Sequence, residues 1–342
     1  MTRVLVTGGS GFIGQYLVPA LVARGRDVRV LDILAPTRVA SEVQYVEGSV
    51  LDQGLVDDAL NGVEEVYHLA GLPGMWVPRK TDFHAVNCRG TEIVLAAARK
   101  RGIARFLHCS TESILFRPPP SEDALAENTT LSADEMPGLY TRSKLLAEQL
   151  AVKAAAAGFP VVIACPTMPI GSHDHNLTPP AAMLRHFLGR RLQLYLDFVV
   201  NLVDVRDVAT GLVLTMERGQ VGNRYVLGGE SIPLKTILRF MAEASGRRGV
   251  MLPVPHLAAQ AAAAVLEFMA DHVTHRPPSA TAEGVRIALR ATALSIKKAQ
   301  SELGYSPQSV EPALRETIAD LLSAPADGIN RRYYVRHDAL KT

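Results

Sequence analysis

Cysteine is scarce in this chain of 342 residues: Cys88, Cys109 and Cys165, an odd number without CxxC spacing. That argues against a disulfide framework and a cysteine-based zinc site, and fits reduced cytosolic thiols. A surplus of charge is also lacking. Lys plus Arg number 36 and Asp plus Glu 34, and no dense basic run occurs, so nucleic acid is not an expected partner. Long apolar runs are missing. The longest low-charge stretch, Leu257 to Met269, is Ala-rich, carries Glu267 and falls short of the roughly 20 residues a membrane span needs. The apolar run after Arg3 gives way at once to a Gly-rich turn, so no signal peptide is read and a cytoplasmic location is expected. What remains is an ordinary balance of 48% apolar and 20% charged residues, too apolar for a disordered chain.

The length allows one large domain with a smaller lobe, at roughly 150 residues per domain. Residues 1–170 alternate short β-branched runs with amphipathic stretches. RVLVT (3–7), DVRVL (27–31), VQYV (43–46), EEVYHL (64–69), ARFLH (104–108) and PVVIAC (160–165) read as buried strands. Phe12–Arg24, Ala85–Arg101 and Tyr140–Ala157 read as helices between them. This alternation predicts an α/β doubly wound parallel sheet covered on both faces. From 171 to 324 the rhythm changes to Pro- and Gly-containing loops and helices, read as a smaller, mostly helical substrate-binding lobe. NLVDV (201–205) and NRYVL (223–227) look like further strands that interleave this lobe with the main domain. Residues 325–342 read as a charged tail.

The strongest motif is TGGSGFIG, Thr7–Gly14, between a strand and an amphipathic helix. Gly8 permits a tight turn, Gly11 lets backbone N–H groups approach a pyrophosphate, and Gly14 lets helix pack close to strand. The helix N-terminus then presents free N–H donors and partial positive charge to the phosphates. Asp32, 18 residues after Gly14, follows the second apolar run. A carboxylate there accepts hydrogen bonds from adenine-ribose hydroxyls and repels a 2′-phosphate. Ile33 and Leu34 follow it, so NAD is favoured over NADP.

Tyr140 and Lys144 stand at i and i+4 in YTRSK, on one helix face. A neighbouring ammonium, with the charge of an oxidised nicotinamide, is expected to lower a phenol from its ordinary value of about 10. Tyr140 then moves a proton to or from a substrate oxygen as hydride passes. Upstream, RFLHCSTES follows a strand, so Ser110 or Thr111 emerges where open α/β sheets bind ligands.

Together with HLAG (68–71) and VNCRGT (86–91), these motifs resemble the extended short-chain dehydrogenases/reductases over nearly the whole chain. The resemblance implies a Rossmann fold and an NAD-dependent oxidoreductase acting on a small molecule as a homodimer. It implies a catalytic hydroxyl at Thr111, a proton-transfer phenol at Tyr140, a supporting ammonium at Lys144 and a structural Asn87. Coenzyme contacts are implied at Gly8, Gly11, Phe12, Ile13, Gly14 and Asp32, and at Leu69, Ala70 and Gly71. Pro166, Thr167 and Met168 fall beside the nicotinamide. Ser49 and Val50 fall on the adenine side, with Ser49 in place of the usual acid.

CPTMPIGSHDHNLTPP (165–180), FLGRRLQLYLDFVVNLVDVRDVA (187–209) and RYVLGGE (224–230) resemble a branch with hopanoid-associated sugar epimerases, dihydroflavonol reductase-like and 3β-hydroxysteroid dehydrogenase-like proteins. Two departures weigh against a nucleotide-sugar epimerase or dehydratase, the alternative reading. Val200 stands where those enzymes carry a diphosphate-gripping Arg, and Glu112-Ser113 supplies one acid where dehydratases place two. Trp76, in LPGMWVPRK (72–80), reads as a pocket wall or as an anchor under a loop. Glu112 and His173 are further candidate substrate contacts. The triplet His173-Asp174-His175 lacks a third ligand at metal spacing, so no metal is expected.

Overall fold

The computed structural model describes residues 1–36, 41–117, 124–188, 190–246 and 249–323. The expected tail, 325–342, lies outside them. The six apolar runs form β1 (Arg3–Thr7), β2 (Asp27–Asp32), β3 (Val43–Glu47), β4 (Glu65–His68), β5 (Arg105–Cys109) and β6 (Val161–Pro166). Helices α1 (Gly14–Val22), α2 (Gln53–Ala59), α3 (Gly90–Lys100) and α4 (Leu139–Ala156) lie between them. Side chains alternate across the sheet. Leu5 and Leu31 enter one apolar core, while Val4, Val6, Val28 and Val30 enter the other. Both faces are therefore dry, and near-continuous apolar strands are stable only there.

The later chain adds β7 (Met168–Ile170), α5 (Pro179–Phe187), β8 (Leu192–Tyr195), β9 (Val199–Asp204), α6 (Val205–Arg218) and β10 (Arg224–Leu227). It ends with β11 (Glu230–Pro233), α7 (Leu234–Ser245), β12 (Val250–Pro253), α8 (His256–Met269), α9 (Ala282–Arg290) and α10 (Glu311–Ser323). The main sheet runs β3-β2-β1-β4-β5-β6-β10, and every pairing is parallel. NRYVL thus joins the main sheet as β10. NLVDV does not: it falls in β9, between β7 and β11 in a separate three-stranded sheet. The apolar pattern marks a buried strand without saying which sheet buries it. Besides its helices, the later chain therefore carries this sheet and a β8–β12 ribbon.

Winding reverses between β1 and β4, which opens a crevice at the C-terminal strand ends. His68, at the end of β4, braces this edge. Its Nδ1 lies 2.7 Å from Thr7 Oγ1 and its Nε2 2.9 Å from Thr91 Oγ1. Burial pushes it down to about 3, so the ring is neutral at physiological pH. Among the described residues no helix is long and apolar enough to cross a membrane.

Candidate active site

The crevice widens into a cavity of about 1090 Å³. Its first end is the Gly-rich turn. Gly8 has φ +74°, and a Cβ there would stand 2.7 Å from Ala70 N. A Cβ on Gly14 would lie 2.6 Å from Gly8 O, so only glycine lets α1 start this close to β1. Gly9, not singled out by the motif argument, is equally constrained, because a Cβ there would meet Val30 at 2.8 Å. Around Gly11 a Cβ would meet only Gly8 O, at 3.2 Å, so that side of the loop stays open.

Gly8, Gly11, Phe12, Ile13, Gly14, Asp32, Ser49, Val50, Leu69, Ala70 and Gly71 all line this end of the cavity. Asp32 Oδ2 accepts from Ser10 N (2.9 Å) and Oδ1 from Leu34 N (2.9 Å), so the carboxylate also ties the turn to the end of β2. Burial raises its pKa, opposed by those backbone donors. Pro166, Thr167 and Met168 line the cavity at the end of β6. Thr167 Oγ1 is buried there with no hydrogen-bond partner among the described residues. A glycine cradle at a helix N-terminus and an orphan hydroxyl fit a dinucleotide coenzyme.

Thr111, Glu112, Tyr140 and Lys144 line the same cavity. Thr111, two residues past the end of β5, caps the short turn Glu112–Ile114, accepting from Ser113 N. Its Oγ1 donates to Glu112 Oε2 (3.1 Å), and its hydroxyl favours the charged form of the Tyr140 phenol. Lys144 Nζ donates to the Cys109 carbonyl at 2.7 Å, tying α4 to the end of β5. The expectation that Tyr140 is lowered does not hold for the protein alone. Burial, then the Glu112 carboxylate, raise the phenol above its ordinary range, and the Thr111 hydroxyl only partly offsets this. Burial lowers the Lys144 ammonium. Glu112 is almost fully buried, and burial pushes its carboxyl up to about 7.

Asn87 sits in a π-helical segment, Phe83–Arg89, ahead of α3. Its Oδ1 accepts from Leu72 N (2.7 Å), and its Nδ2 donates to Ser143 Oγ (2.9 Å), which in turn donates to Tyr140 O. The residue that sequence reasoning missed is Glu283. From α9 it accepts hydrogen bonds from Tyr140 N (3.1 Å), Thr141 N (2.8 Å) and Thr141 Oγ1 (2.7 Å), and so caps α4. Thr281 caps α9 itself, accepting from Gly284 N, but nothing local in the sequence joins Glu283 to a helix 142 residues earlier.

Trp76 sits at the cavity wall and is anchored from behind. It lines the cavity while its Nε1 donates to Asp271 Oδ1 (2.6 Å) under the Lys80 ammonium. His173 does not line this cavity. It lies at a separate small one of about 210 Å³, where its N–H donates to Asp320 and its carbonyl accepts from Gln15 Nε2. At φ +61° its backbone bridges α1 and α10 through Gln15 and Asp320. Among the described residues no group of three or more His, Cys, Asp or Glu could hold a metal ion. Val200 is buried in the core of the later chain, and only its neighbours Val199 and Asn201 reach the cavity wall.

A doubly wound sheet, a glycine cradle at its crossover and a Thr-Tyr-Lys cluster beside it define the class of extended short-chain dehydrogenases/reductases. The model of the NAD dependent epimerase/dehydratase family matches residues 4–228, and the chain belongs to that family. It is 33% identical to the 4-hydroxy-2-methyl-3-oxo-4-farnesyl-3,4-dihydroquinoline-1-oxide ketoreductase of Stigmatella aurantiaca, over 89% of this chain and 92% of that one. It is 28% identical to sterol demethylase protein B of Methylococcus capsulatus, over 92% and 97%. Among solved structures, that of gox2253 superposes with a TM-score of 0.78 at 29% identity, covering 94% of this chain and 98% of that one.

Proposed function

We propose that this protein is an NAD-dependent oxidoreductase that transfers hydride between the nicotinamide and a secondary alcohol or ketone. The observation that carries the reading is the meeting of Thr111, Tyr140 and Lys144 in the cavity that begins at the Gly8–Gly14 cradle. The coenzyme would be held by the turn and the N-terminus of α1 at its phosphates. Asp32 would hold its adenine ribose, and Pro166–Met168 would flank its nicotinamide end. When bound, the nicotinamide accepts or supplies the hydride and contributes positive charge in its oxidised form.

Thr111 orients the substrate oxygen, and Tyr140 transfers the proton at that oxygen. Lys144, fixed by the Cys109 carbonyl, contributes a cation on the phenol's helix face. Asp32 followed by Ile33 and Leu34 supports NAD over NADP, because a carboxylate repels a 2′-phosphate. Apolar walls from Met183, Phe198, Leu234 and Leu266 support an uncharged, lipophilic substrate. Two relatives named for farnesyl-quinoline and sterol substrates agree with that. We further place the enzyme in the cytoplasm as a homodimer, an arrangement supported by packing of α3 on α4 and by exposed Leu139 and Val152 on α4.

The test is Tyr140→Phe. Turnover of a secondary-alcohol panel, read as NADH absorbance, falls by roughly 10²–10⁴-fold while NAD still binds. Undiminished turnover would end the reading. One observation favours the epimerase or dehydratase alternative: the buried Glu112 at Thr111 is placed to move a second proton. Glu112→Gln separates the two, with large loss for that alternative and little for simple dehydrogenation.

A further inference from the structure

Helix α8 presents apolar residues both inward and outward. Ala259, Ala262 and Leu266 line the cavity, as do Leu192 and Leu194 of β8. Outward, Leu257, Val265 and Phe268 are 80%, 60% and 62% exposed, and Met269 and Val273 continue the face. In the strand that precedes the helix in sequence, Val250 and Leu252 of β12 stand in register with the cavity-lining Leu192 and Leu194, and all four are exposed. Among the described residues, nine of the fourteen exposed large apolar side chains fall in 192–194 and 250–273. A soluble surface normally scatters such residues singly, and a contiguous apolar face marks a contact site.

The charges around this face have one dominant sign. Its two embedded carboxylates are engaged from within: Asp271 pairs with Lys80 (2.9 Å), and Glu267 accepts from Ala282 N (2.9 Å). Of the exposed charges in 190–197 and 249–281, Arg190, Arg191 and Arg276 outnumber Asp197. Histidines at 256, 272 and 275 are exposed beside them. An apolar helix face with guanidinium groups in its flanking segments is complementary to anionic lipid headgroups over acyl chains. We infer that the α8, β8 and β12 face docks on an anionic bilayer surface. The substrate side rests on the function proposed above: a lipophilic alcohol or ketone reaches the cavity from the membrane through elements that line both.

Sedimentation of the full chain with vesicles tests the docking without turnover. The protein binds phosphatidylcholine vesicles containing about one-third phosphatidylglycerol roughly tenfold more than pure phosphatidylcholine vesicles at low salt. The double variant Val265→Asp/Phe268→Asp, at exposed positions outside the cavity wall, loses that binding. Arg191→Glu/Arg276→Glu loses the phosphatidylglycerol-dependent part. Docking is overturned if the protein stays in the supernatant with both vesicles, or if the aspartate variant sediments as the parent does. It is also overturned if light scattering shows a parent dimer that the aspartate variant abolishes, with no vesicle binding. All variants keep the parent's rate on a short, water-soluble secondary alcohol. If neither parent nor variants turn over any alcohol or ketone, the function reading fails while the vesicle result stands.

Discussion

Glu112→Gln isolates the burial of one carboxyl. The side chain is almost fully buried beside Thr111, and its carboxyl rises from an ordinary 4.5 to about 7, chiefly through desolvation. A carboxyl with a raised folded-state pKa holds its proton better folded than unfolded. The native state is therefore unpenalised below about pH 4.5 and progressively penalised as pH rises towards 7. At 1.36 kcal/mol per decade of affinity, the full penalty is roughly 3 kcal/mol above pH 7. Glutamine keeps the shape and accepts the Thr111 hydrogen bond without titrating. The melting temperature of Glu112→Gln minus that of the parent should rise by about 4 °C between pH 4.5 and 8.5, given roughly 2.1 cal/mol/K per residue of unfolding entropy. Scanning fluorimetry at matched ionic strength reads this directly. A difference constant with pH, or one that falls, would refute the argument. The same carboxylate raises the Tyr140 phenol, so a limb near pH 7 in the kcat/KM profile of the parent should flatten in the variant.

Glu283→Ala removes the acceptor of two amides and a hydroxyl at the start of α4. We expect a stability loss of about 2–4 kcal/mol in denaturant titration, with kcat falling more than coenzyme affinity and partial rescue by glutamine. Gly14→Ala forces a Cβ to within 2.6 Å of the Gly8 carbonyl. Overpacking of about 1–3 kcal/mol and a weaker NAD affinity by calorimetry should follow. Asp32→Ala removes the anion beside the predicted ribose site, and the ratio of kcat/KM for NAD over NADP should fall by at least roughly tenfold, since a charge-assisted contact contributes about 1.5–3 kcal/mol.

The strands of residues 1–170 are legible because the central ones are buried on both faces and therefore read as largely apolar runs, while the edge strand β3 keeps enough of its apolar residues to be read as one. The Gly-rich turn is legible because its geometry admits only glycine at Gly8 and Gly14. Tyr140 and Lys144 are legible because a helix brings i and i+4 to one face. Each of these signals is contained in a few neighbouring residues.

What the chain does between distant segments was decided only in three dimensions. The cap that Glu283 places on α4, the seating of His173 between α1 and α10 and the allotment of NLVDV to the smaller sheet all join residues far apart in sequence. So does the direction of the Tyr140 shift, which burial and Glu112 dominate. Local pattern records how a segment meets solvent. Charge interactions and caps depend on which other segment arrives, and that is a property of the packed whole.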